Sequence, residues 1–243
     1  MIPKILHYCW FGGSPLPKEV KKNIENWKKK APDFKIIQWN EKNYDIDNTC
    51  SFVKEAYEQK KWSFVSDYVR LEVIYKLGGV YLDTDVKLLS NLDDVILSHP
   101  NGYMGFEKKD EVNTGLGFSA PAKNIIVKEM IDYYQSLHFN MAKIDVLRCP
   151  YINTKILINH GLILNNTLQS INKIDILPID YLSPNSLFLD KSNFTENTLS
   201  IHEYKASWMK KSTKFRIKTI VLTKKILPLF VINVIRDVMK GKN

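Results

Sequence analysis

Four charged residues in one short stretch of the chain could do chemistry together. Asp83 and Asp85 are separated by a single residue, and Asp67 and Arg70 lie three positions apart just upstream, on one face of a helix if a helix forms there. Two carboxylates this close repel each other unless a cation or a proton is present. Oxygen ligands suit divalent ions such as Mg²⁺ or Mn²⁺. The pair predicts a metal site, although a D-x-D sequence alone is a weak signal.

The pattern around these residues predicts a helix followed by a buried strand. From Trp62 to Leu77, apolar residues recur at three- and four-residue spacing, which is typical of one helix face. Gly78-Gly79 supplies the positive φ that ends such a helix. Val80 to Val86 then alternates as a strand does, with both aspartates on the same face. Because ligands bind at the carboxyl ends of strands in open α/β sheets, we expect the aspartates at a binding edge.

The first forty residues read as strand, helix and strand, the pattern of a parallel sheet. Further elements are indicated downstream, and together they predict an α/β fold. The predicted strands cover residues 2–10, 34–39, 80–86 and 102–107, and the predicted helices cover residues 15–30, 62–77, 91–97 and 124–137.

Composition narrows the class of protein. An apolar fraction of 44% is that of a folded globular chain. Three widely spaced cysteines argue against a disulfide framework and for a reducing compartment. The net charge of +9 favours an anionic partner such as a nucleotide, a nucleic acid or an acidic membrane, or it merely solvates the surface. No basic stripe interleaved with aromatic residues is visible in the core of the sequence, so we expect no nucleic-acid partner.

The basic excess is concentrated at the end of the chain. Residues 210–243 carry ten Lys and Arg against one acid, with aliphatic residues near one helical face. A basic amphipathic helix of this kind is typical of a segment that lies in an anionic membrane interface. The alternative is an ordinary terminal helix packed on the domain. Without a leader or a span of sufficient length, we expect a cytoplasmic protein, peripheral on the inner face of the cell membrane.

Several motifs in this order and spacing resemble glycosyltransferase family 32, and more distantly the glucosyltransferase domain of large clostridial toxins. The resemblance covers roughly residues 1–208. It rests on the following motifs: His7-Tyr8-Cys9-Trp10-Phe11-Gly12-Gly13, Ser66-Asp67-x-x-Arg70, Gly78-Gly79-Val80-Tyr81-Leu82-Asp83-Thr84-Asp85 and Asn113-Thr114-Gly115.

This resemblance implies a GT-A fold, a Rossmann-like mixed sheet flanked by helices, in a catalytic domain of residues 1–209 followed by the basic helical tail. It implies a retaining transferase that uses a nucleotide sugar, here a UDP-sugar, with Mn²⁺ or Mg²⁺ as cofactor. The acceptor would be a saccharide or a lipid-linked saccharide, since small bacterial members often serve capsule, exopolysaccharide or lipopolysaccharide assembly.

Site residues follow from the same resemblance. The catalytic group would comprise Asp67, Arg70, Asp83, Asp85 and Asn113. Donor binding would involve His7, Trp10, Trp62, Ser66, Tyr81, Asp83, Ser207 and Trp208, and the metal would be held by Asp83, Asp85 and His202. The sequence departs from many relatives at one point, because Lys205 stands where they have glycine in the C-terminal loop.

Two other functions compete with this one. Phosphatases of the haloacid-dehalogenase type also place D-x-D after a hydrophobic strand, but they usually have Thr or Val at the position of Lys87 and carry the motif near the chain start. An inactive module that binds a nucleotide sugar or a membrane is the second alternative. The presence of Asp67, Arg70, Asp83 and Asp85 together argues against that loss of activity.

Overall fold

The computed structural model describes residues 2–184 and 193–204 of the chain. Two predicted donor-binding residues, Ser207 and Trp208, lie outside these ranges, as do Lys205 and the basic tail of residues 210–243. The predicted domain boundary at residue 209 also falls outside. These expectations therefore stay predictions.

Short strands make up the sheets of the described part of the chain. In chain order they are β1 (Ile5–Cys9), β2 (Lys35–Trp39), β3 (Gly79–Tyr81), β4 (Val86–Leu88), β5 (Tyr103–Lys108), β6 (Glu111–Val112), β7 (Phe118–Ala120), β8 (Gln169–Ile171), β9 (Ile174–Leu177) and β10 (Ser200–His202). The main sheet has the order β2-β1-β3-β7-β5-β9-β8, and β6 pairs with β5. Strands β2, β1 and β3 run parallel, and β7 runs antiparallel to both of its neighbours. The predicted α/β class is confirmed, with a mixed sheet.

Helices cover both faces of this sheet. They are α1 (Lys18–Lys30), α2 (Ser51–Glu58), α3 (Trp62–Leu77), α4 (Leu92–Ser98), α5 (Ile125–Gln135), α6 (Ile144–Leu147), α7 (Cys149–Asn159) and α8 (Ile179–Leu182). Side chains alternate across β1, so Tyr8 meets Trp27 of α1 edge-on at 5.6 Å. On the other side, Cys9 joins the main hydrophobic core together with Val65 and Val69 of α3. Burial of apolar side chains from both layers stabilises this arrangement.

Two glycines join α3 to β3 as the sequence predicts. Gly78 has φ of +66°, and its amide donates to the Ile74 carbonyl at 2.7 Å, which ends the helix. Gly79 has φ of +109°, and a Cβ there would lie 2.4 Å from the Ile5 carbonyl oxygen. Only glycine therefore allows β3 to pair closely with β1 at this point.

The strand predicted over residues 80–86 is wrong in its extent. Strand β3 ends at Tyr81, residues 82–85 form a turn, and a separate strand β4 begins at Val86. The Leu82 amide still donates to the His7 carbonyl at 3.0 Å, but the Val86 amide donates to the Asp83 carbonyl, which closes the turn. Asp83 and Asp85 thus lie in a turn beyond the sheet edge and not on one face of a strand.

Strand β4 leaves the main sheet and pairs with β10 from the far end of the described chain. The two strands run antiparallel, with His202 opposite Val86. This small sheet brings residues 200–202 back to the aspartate turn. Among the described residues, no helix has the length and apolar character needed to cross a membrane.

Candidate active site

The guanidinium of Arg70 lies between two carboxylates. Its Nη2 atom is 3.0 Å from Oδ1 of Asp67, one turn earlier on α3, and 3.0 Å from Oδ1 of Asp83 in the turn. The guanidinium also lies over the ring of Tyr81, 4.9 Å from its centroid, and the Tyr81 hydroxyl donates to Asp83 Oδ1 at 2.9 Å. The predicted residues Asp67, Arg70, Tyr81 and Asp83 are therefore in direct contact.

The charges of this group shift one another's pKa values. Burial and the nearby Asp83 charge raise the pKa of Asp67 to about 7, although Arg70 opposes the rise. Burial would also raise the pKa of Asp83, but Arg70, His202 and the Tyr81 hydroxyl together lower it. The pKa of Arg70 lies well above its ordinary value because both carboxylates outweigh its burial. Asp83 is thus the ionised acid of the pair, and Asp67 holds its proton more readily.

Asp83, Asp85 and His202 form the second part of the site. Nε2 of His202 is 3.2 Å from Asp85 Oδ1 and 3.9 Å from Asp83 Oδ2, and one ligand atom of each residue lies within 4.8 Å of the others. Burial would lower the pKa of His202, but the Asp85 and Asp83 charges outweigh burial and raise it. The backbone fixes the pairing, because the Glu203 amide donates to the Asp85 carbonyl at 2.9 Å. The structure therefore places all three predicted metal ligands together.

These three residues fit a divalent ion. Asp83 Oδ1 already accepts from Arg70 and Tyr81, so Oδ2 is the atom it presents toward His202. Two carboxylates and one imidazole form a mixed oxygen and nitrogen donor set, which suits a first-row transition ion such as Mn²⁺ better than Mg²⁺. The same acidic cluster would be repulsive without the positive charge of Arg70 and without a cation or a proton shared with His202.

Helix α1 holds the backbone of the aspartate turn through polar side chains. Asn23 donates to the Thr84 carbonyl at 3.0 Å, and Trp27 donates to the Val86 carbonyl at 2.9 Å. Asn26 donates to the Leu88 carbonyl at 3.1 Å and accepts from the Leu88 amide at 2.8 Å. Sequence reasoning missed this contribution, because the helical pattern marks only the apolar stripe of α1.

The loop after β6 completes the site on another side. Asn113 Oδ1 accepts from the Gly115 amide at 2.7 Å. A Cβ on Gly115 would lie 2.6 Å from Asp83 Oδ2 and 2.9 Å from both Arg70 Nη1 and Asn113 Oδ1. The loop backbone therefore lies directly against Asp83 and Arg70. The predicted residue Asn113 is part of this loop.

Aromatic residues surround the loop that follows β1. Half-buried Trp10 donates through Nε1 to the Ser14 carbonyl at 2.6 Å. Trp62 packs on the backbone of Gly12, where a Cβ would lie 2.6 Å from its ring. The Gly12 amide donates to Glu41 Oε1 at 2.6 Å, a contact that sequence reasoning missed. Trp10 and Trp62 are thus brought to one loop.

Ser66 connects the aromatic side of the site to the charged side. Its hydroxyl donates to the Trp62 carbonyl at 3.0 Å, and its own carbonyl accepts from Arg70 Nε at 3.2 Å. One turn of α3 therefore links Trp62 to the guanidinium.

His7 lies in the core. Its Nδ1 accepts from Trp39 Nε1 at 3.0 Å, so Nε2 carries the proton and donates to the Gly78 carbonyl at 2.9 Å. Burial lowers the pKa of His7 to about 4, and the ring is neutral. From β1, its ring contacts β2 on one side and the end of α3 on the other. Donor binding by His7 stays a prediction.

Glu107 and Cys149 are site residues that sequence reasoning missed. Glu107 is 8% exposed at the end of β5, and burial raises the pKa of its carboxyl although His202, Lys108 and Asn113 oppose the rise. Cys149 begins α7 and contacts both Arg70 and Asn113. No local pattern marks either residue, because each reaches the site only through the pairing of distant elements.

A family match covers the charged part of the site. Residues 17–103 match the family described as a glycosyltransferase sugar-binding region containing a DXD motif. This segment runs from α1 into β5 and contains Asp67, Arg70, Asp83 and Asp85. By this partial match the chain is similar to the DXD-containing glycosyltransferases, the class that the sequence motifs predict.

One relative is similar to part of this chain. Over 106 residues the chain is 32% identical to an uncharacterized glycosyltransferase of Acanthamoeba polyphaga mimivirus. That match covers 40% of this chain and 40% of the relative, so less than half of the relative's length is spanned.

One solved structure shows the fold, and a second is similar at a lower TM-score. A structure described as PaToxG glycosyltransferase is similar with a TM-score of 0.51 at 17% identity, over 66% of this chain and 70% of that chain. A glycosyltransferase involved in the glycosylation of the major capsid of PBCV-1 gives a TM-score of 0.47 at 12% identity, over 89% and 100%. The prediction of a GT-A type fold is confirmed for the described part of the chain.

Proposed function

We propose that this chain is a metal-dependent glycosyltransferase that moves a sugar from a nucleotide sugar to a saccharide or lipid-linked saccharide. The observation that carries this proposal is the contact of two charged groups. Asp83 belongs to the Asp83–Asp85–His202 cluster and also pairs with Arg70, which in turn pairs with Asp67. A cation site therefore adjoins a buried acid and guanidinium that suit the hydroxyls of a sugar.

The residues of this chain would share the work in the following way. Asp83, Asp85 and His202 would hold a divalent ion, which would supply Lewis-acid stabilisation to a diphosphate leaving group. Arg70 is already oriented by two carboxylates, so it needs little reorganisation when negative charge develops nearby. Asp67, with its raised pKa, would donate to or accept from donor sugar hydroxyls.

The aromatic side of the site suits the nucleotide. Trp10 and Trp62 flank the loop that contains Gly12, and an aromatic face there would stack on a nucleobase. The resemblance to glycosyltransferase family 32 supports UDP as the nucleotide and retention of the anomeric configuration. Among the described residues that surround Asp67, we assign no covalent nucleophile, and a front-face displacement with the departing phosphate as base is the mechanism we propose.

A thermal-shift screen tests the donor site. UDP-, GDP- and CDP-sugars are added with and without Mn²⁺ to the wild type and to Asp85→Asn. We expect the sugar of one nucleotide to stabilise the wild type only when Mn²⁺ is present, because the diphosphate would bind through the ion. A ligand that binds the native state raises its stability. The Asp85→Asn variant should lose that dependence, while Asp175→Asn, which alters an aspartate paired with His99 outside the site, should keep it.

Three other outcomes have distinct meanings. Absence of any Mn²⁺-dependent shift would contradict the donor site. Release of phosphate from a generic ester without nucleotide sugar would favour a phosphatase. A nucleotide-sugar shift without any transfer to a panel of saccharides and without slow hydrolysis of the donor would favour an inactive binding module.

We further propose a role in cell-surface polysaccharide synthesis at the inner face of the cell membrane, with residues 210–243 binding anionic lipid. The support is the sequence of this segment, which has ten basic residues and one acid. In a flotation assay, the full-length chain should bind vesicles with anionic lipid more strongly than neutral vesicles. Lys224→Glu together with Lys225→Glu should weaken that binding, and equal binding by both proteins would contradict the proposal.

A further inference from the structure

The thiol of Cys149 lies at the back of the charged group, at the first residue of α7. It is within hydrogen-bonding distance of Arg70 Nη1 at 3.7 Å, of Asn113 Oδ1 at 3.4 Å and of Thr114 Oγ1 at 3.1 Å. The side chain is 3% exposed, and burial raises its pKa to about 12, so it remains a neutral thiol. One small polar group therefore touches two residues of the site from two different elements.

Arg70 has few other partners on this side. Its Nε donates to the Ser66 carbonyl and its Nη2 meets the carboxylates of Asp67 and Asp83. Nη1 faces Cys149 Sγ and the backbone of Gly115. The sulfur thus accepts a hydrogen bond from Nη1, the nitrogen that does not contact the carboxylates. Burial of a guanidinium costs least when all its N–H groups have acceptors.

The backbone of α7 reinforces this contact. The backbone of Cys149, at the N-terminus of the helix, lowers the pKa of Asp67 and so partly offsets the larger rise that burial causes. Residue 149 therefore contacts Arg70 through its thiol and acts electrostatically on Asp67, the pair that we place against the donor sugar.

Asn153, one turn later, anchors the thiol to the Asn113 loop. Its Oδ1 is 2.8 Å from Cys149 Sγ and accepts from the Thr114 amide at 3.1 Å and the Thr114 hydroxyl at 3.0 Å. Thr154 accepts from the Val112 amide at 2.8 Å through its hydroxyl. Asn153 is fully buried. The first turn of α7 therefore fixes the loop that carries Asn113 to the same frame as Arg70.

We propose that Cys149 is a positioning residue of the donor site, which holds Arg70 and Asn113 in register with each other through its thiol and through Asn153. This inference rests on the proposed function, since a sugar-transfer site is what these two residues would serve. The thiol itself takes no part in bond making. Its effect is on the orientation of Arg70 and Asn113, and small errors in such orientation lower reaction rates steeply.

Paired substitutions in the full chain test this role. Cys149→Val has similar volume but removes the polar contacts, whereas Cys149→Ser retains a donor and an acceptor. Cys50→Val is the matched control, because Cys50 is a half-buried free cysteine that also lies at the start of a helix, in this case α2. Two readouts are measured: steady-state sugar transfer, and the NMR resonance of Arg70 Nε assigned by comparison with Arg70→Lys.

We expect Cys149→Val to lower kcat by about 10- to 100-fold, with a donor KM that changes by less than about threefold. It should shift the Arg70 Nε resonance, and Cys149→Ser should restore both readouts most of the way. Cys50→Val should leave both unchanged. If Cys149→Val does not fold, Cys149→Ala replaces it in the same comparison.

Two results would overturn the inference. The first is a Cys149→Val protein whose kcat and Arg70 resonance match the wild type. The second is a loss of transfer in Cys149→Val and Cys149→Ser alike, in proportion to the unfolded fraction, which would mean simple packing. If the wild type transfers no sugar from any donor, the proposed function fails, and the Arg70 resonance alone decides whether Cys149 positions that residue.

Discussion

Arg70 is the residue on which the charge balance of the site depends. It is 3% exposed and provides the positive charge that Asp67 and Asp83 both contact. Removal of one partner from a buried ionic group leaves an uncompensated charge, which is strongly destabilising. The spacing of Asp67 and Arg70 on α3 made their pairing predictable, but their shared contact with Asp83 depends on the turn after β3.

We expect Arg70→Met to lower the free energy of unfolding by about 3–5 kcal/mol. Adding Asp67→Asn should recover part of the loss, because one of the two facing acids then carries no charge. Urea unfolding at neutral pH measures both effects. Lys76→Met, which removes an exposed cation from the same helix, should change stability by less than about 0.5 kcal/mol. An Arg70→Met protein within about 1 kcal/mol of the wild type would contradict the assigned role.

His202 gives metal binding a predictable pH dependence. Its pKa is raised because Asp85 and Asp83 stabilise the protonated ring, and an imidazole must lose its proton before it binds a metal. Protons therefore compete with Mn²⁺ up to a higher pH than for an ordinary histidine. Affinity should rise with pH through the range in which His202 is deprotonated and should fall in acid.

Calorimetric titration with Mn²⁺ from about pH 5.5 to 8.5 tests this expectation. His202→Gln should weaken binding by more than about tenfold and should flatten the pH dependence. His160→Gln, which alters a histidine paired with Glu129 elsewhere on the molecule, should behave as the wild type. Binding that is independent of pH in the wild type would exclude His202 as a ligand.

At the scale of elements, α1 acts on the site through the backbone of the aspartate turn and of β4. Asn23, Asn26 and Trp27 bind backbone atoms of the segment from Thr84 to Leu88. Asn23 is buried and bonds to the carbonyl that lies between the two aspartates. A helix on one face of the sheet therefore sets the geometry of a turn beyond the sheet edge.

Asn23→Ala should lower the free energy of unfolding by about 1–2 kcal/mol, since the Thr84 carbonyl loses its buried donor. It should also weaken Mn²⁺ binding by about tenfold, because the turn that carries Asp83 and Asp85 becomes less restrained. Urea unfolding and calorimetry measure the two effects. Lys22→Ala, an exposed neighbour on the same helix, is the control. Unchanged Mn²⁺ affinity in Asn23→Ala would show that the turn needs no support from α1.

At the scale of the whole molecule, the metal cluster joins residues that are far apart in the chain. Asp83 and Asp85 lie before β4 and His202 lies in β10, so an ion would connect the two strands of the small sheet. A ligand that binds only the native state stabilises it by an amount that grows with the logarithm of the ratio of free ligand concentration to Kd. At free Mn²⁺ near 100 times its Kd, the gain is about 2.7 kcal/mol.

We therefore expect Mn²⁺ to raise the Tm of the wild type by about 5–10 °C. Chelation with EDTA should reverse the shift. His202→Gln should show a much smaller rise at the same Mn²⁺ concentration. Equal rises in both proteins would mean that the ion binds elsewhere.

The sequence by itself determined the parts that depend on local patterns. Helix α3 and its glycine stop follow from apolar periodicity and from the conformational freedom of Gly78 and Gly79. The motif residues Asp67, Arg70, Asp83 and Asp85 were identifiable for the same reason, because each pair lies within four residues. The family match over residues 17–103 corresponds to this local part.

Tertiary structure alone decided the rest. Alternation over residues 80–86 predicts one strand, yet pairing with β1 ends at Tyr81 and pairing with β10 begins at Val86, so the aspartates lie in the turn between two sheets. Cys149, Asn153 and Glu107 reach the site through helix and strand packing that no short-range pattern encodes. The same is true of His202, which the family resemblance identified as a metal ligand but could not place. Antiparallel pairing of β10 with β4 brings it beside Asp85, because hydrogen bonds between strands join residues at any distance in sequence.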